Sequence, residues 1–196
     1  KYNKQNELQI SKSSPDAVFM GDSITEGWSF FLPEFFSNNN YINRGIGGQT
    51  TSQMLIRFRQ DVINLKPKSV VILAGINDIA RNNKFYSLEI IAENIFSMVE
   101  LAKINGIAPI ICSVLPADEF SWNPDISPAD SVVKLNTLLK AYANKNQVIY
   151  LNYFDEMDNN NGGLRVELTS DGVHVTKKGY ELMSVLAKQS VSTAFK

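Results

Sequence analysis

Short apolar runs alternate along this chain with stretches of helical spacing, and that alternation restricts the fold more than any other feature. The runs "AVFM" (17–20), "SVVILA" (69–74) and "IAPIICSVL" (107–115) are apolar through most of their length, not at every second position. Strands buried on both faces have this composition. Tyr41 to Asn43 reads as a further short strand and Gln147 to Leu151 as the last. Between the strands, Met54, Leu55, Phe58, Val62 and Leu65 recur at helical spacing before Pro67. Ser87 is placed to cap a helix running to about Ile104, closed by Gly106, and another runs from about Pro128 to Asn144. Thr176 opens a final helix that offers Tyr180, Leu182, Met183, Leu186 and Ala187 to the core. Strand and helix in turn predict an α/β fold, a three-layer α/β/α sandwich around a parallel sheet. At 196 residues the chain suits a single domain, 1–196, with residues 1–15 as a polar lead-in. The segments 116–128 and 159–163 read as surface loops.

In such a sheet, sites form beyond the carboxyl ends of the strands. The residues there are Gly21-Asp22-Ser23, Gly45 to Gly48, and Gly75-Ile76-Asn77-Asp78. Taken alone, Ser23 is best explained as a helix cap, with Glu26 three residues on completing a capping box. The balance changes with "SDGVH", where Asp171 precedes His174, the only histidine of the chain, by three residues. Serine is a weak nucleophile until an imidazole takes its proton, and a carboxylate on the second ring nitrogen fixes the tautomer and stabilises the imidazolium. Ser23, His174 and Asp171 supply those three groups, and Gly172 permits the tight turn that would let the last two face each other. An oxyanion needs hydrogen-bond donors. The Ser23 amide at a helix start, the unobstructed Gly48 amide and the Asn77 side chain are the candidates, although asparagine after a strand is also a common turn residue.

Composition removes other classes. Lys and Arg number 19 against 20 Asp and Glu, without a long run of either sign, which argues against nucleic acid as a partner. No apolar segment approaches the roughly 18 residues of a membrane-spanning helix, so a soluble chain is expected. Cys112, the single cysteine, allows no intrachain disulfide and reads as a small core residue. Asp22 and Asp78 could suggest a metal-binding pair, but turn or hydrogen-bonding roles explain them better, and no metal is assigned. Arg44 could contact a substrate or serve an ordinary surface or salt-bridge role, and stays outside the site. The opening "KYNKQNELQISKSSP" has no signal-peptide core, as in a trimmed or mature chain. Compartment and oligomeric state stay open, with secreted, periplasmic and cytoplasmic locations all allowed.

"GDSITEGW", "NRGIGGQTT", "GIND" and "DGVH", in this order, resemble the four blocks of the GDSL, or SGNH, hydrolases, and the resemblance spans residues 18–174. It implies a flavodoxin-like α/β/α serine esterase or acylhydrolase that needs no metal or organic cofactor. By position, Ser23 matches the nucleophile, Gly48 the backbone oxyanion donor, with Gly47 as its alternate, Asn77 the side-chain donor, and Asp171 and His174 the other two triad members. Ile24 stands where the name motif has leucine, and Gln49 where many relatives resemble Gly-Asp. Many such enzymes remove acetyl groups from carbohydrates, so small-acyl carbohydrate esters are the expected substrates. Lysophospholipids, platelet-activating-factor-like lipids, thioesters and aryl esters are the alternatives. A reading from another class is a non-catalytic glycan-binding module that uses Trp28, Phe120 and Trp122.

Overall fold

A computed structural model of the chain describes residues 1–10 and 13–195. Among these residues five strands form one parallel sheet in the order β2-β1-β3-β4-β5: β1 Ala17–Gly21, β2 Tyr41–Gly45, β3 Ser69–Leu73, β4 Ala108–Cys112 and β5 Ile149–Leu151. Every residue of β1 and β3 is buried, Ser69 included, in accord with their largely apolar sequence. Helices α1 Asn3–Ile10, α2 Ser23–Phe31, α3 Pro33–Ser37, α4 Thr51–Asp61, α5 Ile76–Ile79, α6 Leu88–Ile104, α7 Ala129–Lys145, α8 Phe154–Met157 and α9 Lys177–Thr193 flank it. Helix α4 packs on α6 and α6 on α7, while α2 packs on α9. The α/β sandwich expected from the alternation of elements is the fold of the chain.

The expected caps are present at two helices: Ser87 accepts from the Ile90 amide and Thr176 from the Gly179 amide. Several boundaries move. The helical spacing read from Met54 through Leu65 is divided: α4 ends at Asp61 and passes into a 3₁₀ turn, Ile63–Leu65, while β4 and β5 are shorter than the apolar runs containing them. Gln147 lies outside β5 because it turns at φ 53°. The lead-in is not merely a tail. Residues 3–10 form α1, and Tyr2 and Asn6 are buried. Their anchorage is mainly polar: Asn6 donates to Asp61 Oδ1 at 2.7 Å and accepts from Arg44 Nε at 2.9 Å. A helix held in this way carries no apolar stripe to reveal it.

Register brings three loops together. Gly21 at the end of β1 lies opposite Gly45 of β2 and Leu73 of β3, so the three strands finish level at one edge. The chain leaves β1 for β2 on one side and then returns to β3 on the other, which makes the β1/β3 boundary the topological switch point where α/β sheets bind ligands. Below it, Phe19 of β1 meets Trp28 of α2 and Phe35 of α3 edge-on, each with ring centroids 5.5 Å apart, and Trp28 stacks on Phe35 at 4.7 Å. These contacts fix α2, and with it Ser23, on the sheet.

Candidate active site

Ser23 is the first residue of α2, and Asp22 is its cap, accepting from the Ile24 amide at 2.9 Å. The capping-box reading of Ser23 with Glu26 is therefore displaced by one residue. Aspartate takes the capping task, which leaves the serine hydroxyl free and puts its amide among the unpaired donors of the first helical turn. Glu26 bonds elsewhere, accepting from the Gly47 amide at 2.6 Å and from Lys1.

His174 reaches this serine from the far end of the chain, with Nε2 3.0 Å from Ser23 Oγ. Its loop is closed by an antiparallel bridge between Thr169 and Val175, and Thr169 Oγ1 donates to the His174 carbonyl at 2.8 Å. Within the loop, Asp171 Oδ1 accepts from the Val173 and His174 amides at 3.0 and 2.7 Å, and Oδ2 lies 2.7 Å from His174 Nδ1. Burial pushes the Asp171 carboxyl upward, but the bonds from His174 and Val173 outweigh it and hold it below the ordinary aspartate value. An ionised carboxylate only accepts, so Nδ1 carries the proton and Nε2 is left to accept from the Ser23 hydroxyl.

Gly47 lies against Ser23: a Cβ added to it would be 3.7 Å from Ser23 Cβ. Because Glu26 takes the Gly47 amide, Gly47 cannot serve as the alternate oxyanion donor in this arrangement. Gly48 turns at φ +74° into open space, and no group among the described residues accepts from its amide. Asn77, buried in α5, donates from Nδ2 to the Gln49 carbonyl at 3.1 Å and accepts on Oδ1 from Asn82 at 2.7 Å. Asn82 thus sets which way the amide faces and leaves one Nδ2 hydrogen available. Asp78 accepts from both the amide and the hydroxyl of Thr51, at 2.9 and 2.7 Å, which locks α5 to the start of α4. Burial raises its carboxyl, with the Thr51 bonds opposing.

Asp22 is more exposed to that penalty. Burial pushes its carboxyl up to about 6, against the pull of the Ile24 amide and His174, and Oδ2 has no partner among the described residues. Asp22 and Asp78 are thus cap and clamp. Arg44 is buried, donating to Asn6 and to the Asn43 carbonyl with its guanidinium over the Tyr2 ring, so neither a surface role nor contact with substrate applies. Cys112 is buried in β4 and its thiol is raised by desolvation, as suits a core residue. Of the three aromatics considered for glycans, Trp28 and Phe120 are buried, whereas Trp122 is 46 % exposed with its ring centroid 6.2 Å from that of His174. Sequence reasoning missed Asn82, the Glu26 contact and the approach of Trp122 to His174; each depends on a fold-made neighbour, and no local motif announces it.

A model of the GDSL-like lipase/acylhydrolase family matches residues 19–182. A candidate acylhydrolase from Bacteroides fragilis NCTC 9343 superposes with a TM-score of 0.95 at 46 % identity, covering 100 % of this chain and 96 % of that one. Platelet-activating factor acetylhydrolase IB subunit alpha2 of Homo sapiens is 30 % identical over 181 residues, 88 % of this chain and 74 % of that protein. An uncharacterised lipoprotein of Bacillus subtilis is 31 % identical over 121 residues, 53 % of this chain and 50 % of its own length, so the chain matches half of that relative. Among the described residues no helix is long and apolar enough to cross a membrane.

Proposed function

This chain belongs to the GDSL-like lipase/acylhydrolase family, and on that premise we propose that residues 1–196 act as one serine esterase domain on small-acyl esters, foremost O-acetyl groups of carbohydrates. The observation that carries the reading is the hydrogen-bonded series from Ser23 Oγ through His174 to Asp171. Ser23 Oγ attacks the ester carbonyl carbon as its proton passes to His174 Nε2. The oxyanion is met by the Ser23 and Gly48 amides and by Asn77 Nδ2. Collapse expels the alkoxide, which leaves with the proton from His174, and Ser23 keeps the acyl group. Water, deprotonated by His174, then repeats the attack and releases the carboxylic acid. Asp171 holds the imidazole and balances its positive charge; no cofactor or metal is assigned a role.

Two observations support the substrate class. Trp122 offers an exposed aromatic face beside His174, a surface on which a sugar ring can lie. The similarity to an acetylhydrolase subunit points to the acetyl group. The test compares wild type with Ser23→Ala on p-nitrophenyl acetate, acetylated sugars, longer acyl esters, thioesters and lysophospholipids. Wild type is expected to favour acetyl esters, and Ser23→Ala to lose about 10⁴-fold or more. Equal turnover by both proteins would overturn the mechanism, and a preference for long acyl chains the substrate class. Wild type inert on every ester but retained by glycans would favour the binding module.

A further inference from the structure

Ser23 and Glu26 stand three residues apart on α2, so one helix face carries both the candidate nucleophile and a carboxylate. The Glu26 carboxylate accepts from the Gly47 amide at 2.6 Å, and Gly47 is the residue immediately before the unpaired Gly48 amide. Lys1 bonds the other carboxylate oxygen. The loop is also seated from below. Gly45 lies so close to α2 that an added Cβ would be 2.1 Å from the Glu26 nitrogen, Asn43 bonds both the Thr25 carbonyl and the Gly45 amide, and the Tyr2 hydroxyl donates to the Gly45 carbonyl. Beyond Gly48, Asn77 holds the Gln49 carbonyl, and Arg57 joins the Gln49 side chain at 2.6 Å to the Gly21 carbonyl at 3.0 Å.

The peptide between Gly47 and Gly48 is thus fixed on both sides, and neither glycine has a side chain of its own to hold it. We propose that Glu26 is a positioning residue for the oxyanion hole: by holding the Gly47 amide it aims the Gly48 N–H at the carbonyl oxygen of an ester bound at Ser23. This rests on the esterase reading above. An interaction of this kind acts on the charge that develops in the transition state, and so on turnover more than on substrate affinity. A loop freed at Gly47 must be reordered at each turnover, which forfeits the preorganisation that makes such donors effective.

The experiment combines steady-state kinetics on p-nitrophenyl acetate with amide hydrogen exchange at Gly47 and Gly48 for wild type, Glu26→Ala, Glu26→Leu and Glu26→Gln, with thermal melting as the control for folding. Removing the acceptor in the Ala and Leu variants should speed Gly47 exchange and lower kcat by about 10–100-fold with KM within about threefold. Glu26→Gln retains an acceptor oxygen and should recover most of the turnover. The inference is overturned if the Ala or Leu variant keeps wild-type kcat, if Gly47 exchange does not change, or if all three variants lose affinity alike without rescue by Gln. Leu keeps the bulk at position 26, so a variant lost to misfolding leaves another to decide. An inactive wild type would instead count against the esterase reading, and Gly47 exchange would then decide by itself whether Glu26 holds the loop.

Discussion

Asn77 and Asn82 show how a single side chain is given a direction. A carboxamide has one accepting and one donating end, and Asn82 on Oδ1 with the Gln49 carbonyl on Nδ2 leaves the Asn77 amide only one orientation. Asn77→Ala is expected to lower kcat by about 10²–10³, the usual cost of one oxyanion donor, with KM little changed. Asn82→Ala leaves Asn77 in place but releases its orientation, so kcat should fall less, by about tenfold. Kinetics on one acetyl ester check both, and loss of affinity alone in Asn77→Ala would make Asn77 a substrate-binding residue. Asn77 was legible in the sequence through its position after an apolar strand within Gly-Ile-Asn-Asp. Asn82 was not, because its partnership is created by the single turn of α5.

At the level of elements, the close seating of α2 on the end of β2 decides where the nucleophile stands. Gly45 is there for contact: its added Cβ would meet the Glu26 backbone at 2.1 and 2.6 Å, atoms that cannot withdraw without moving the helix. Gly48 is there for conformation, with open space around it and φ +74°. Gly45→Ala should therefore cost about 3 kcal/mol or more and impair activity by displacing Ser23, whereas Gly48→Ala should cost only about 1–2 kcal/mol in backbone strain. Denaturant unfolding of the two variants distinguishes them, and equal losses would contradict this division. The sequence marks both glycines alike. Strands and long helices were readable because periodicity and caps are local signals, as at Ser87 and Thr176. The one-turn helices α5 and α8 were not, since so few residues show no period, and Asp22 took the cap that local spacing offered to Ser23.

For the whole molecule, stability should depend on the buried Asp22. Its carboxyl is raised to about 6 in the folded chain, from 3.8 for an ordinary aspartate, so the folded state binds the proton more tightly than the unfolded one. Well below pH 3.8 both states are protonated and nothing is lost. As pH rises through the interval to about 6 the unfolded chain ionises first, and folding loses on the order of 2–3 kcal/mol, a loss that persists at neutral pH. Asp22→Asn keeps an oxygen to cap α2 and carries no charge, so its stability curve should be flatter between pH 4 and 7 than that of wild type. Urea unfolding across that range checks it, and parallel curves would show that Asp22 does not carry the difference. By itself the sequence determined the alternation of strand and helix, the burial of the sheet on both faces, and the residue types gathered in the strand-end loops, because each follows from local pattern and transfer from water. The tertiary structure alone decided which of those residues meet. A bond between His174 and Ser23, 151 positions apart, exists only once three strands finish level and the 169–175 loop closes over them. That juxtaposition depends on register and long-range packing, which no window of neighbouring residues encodes.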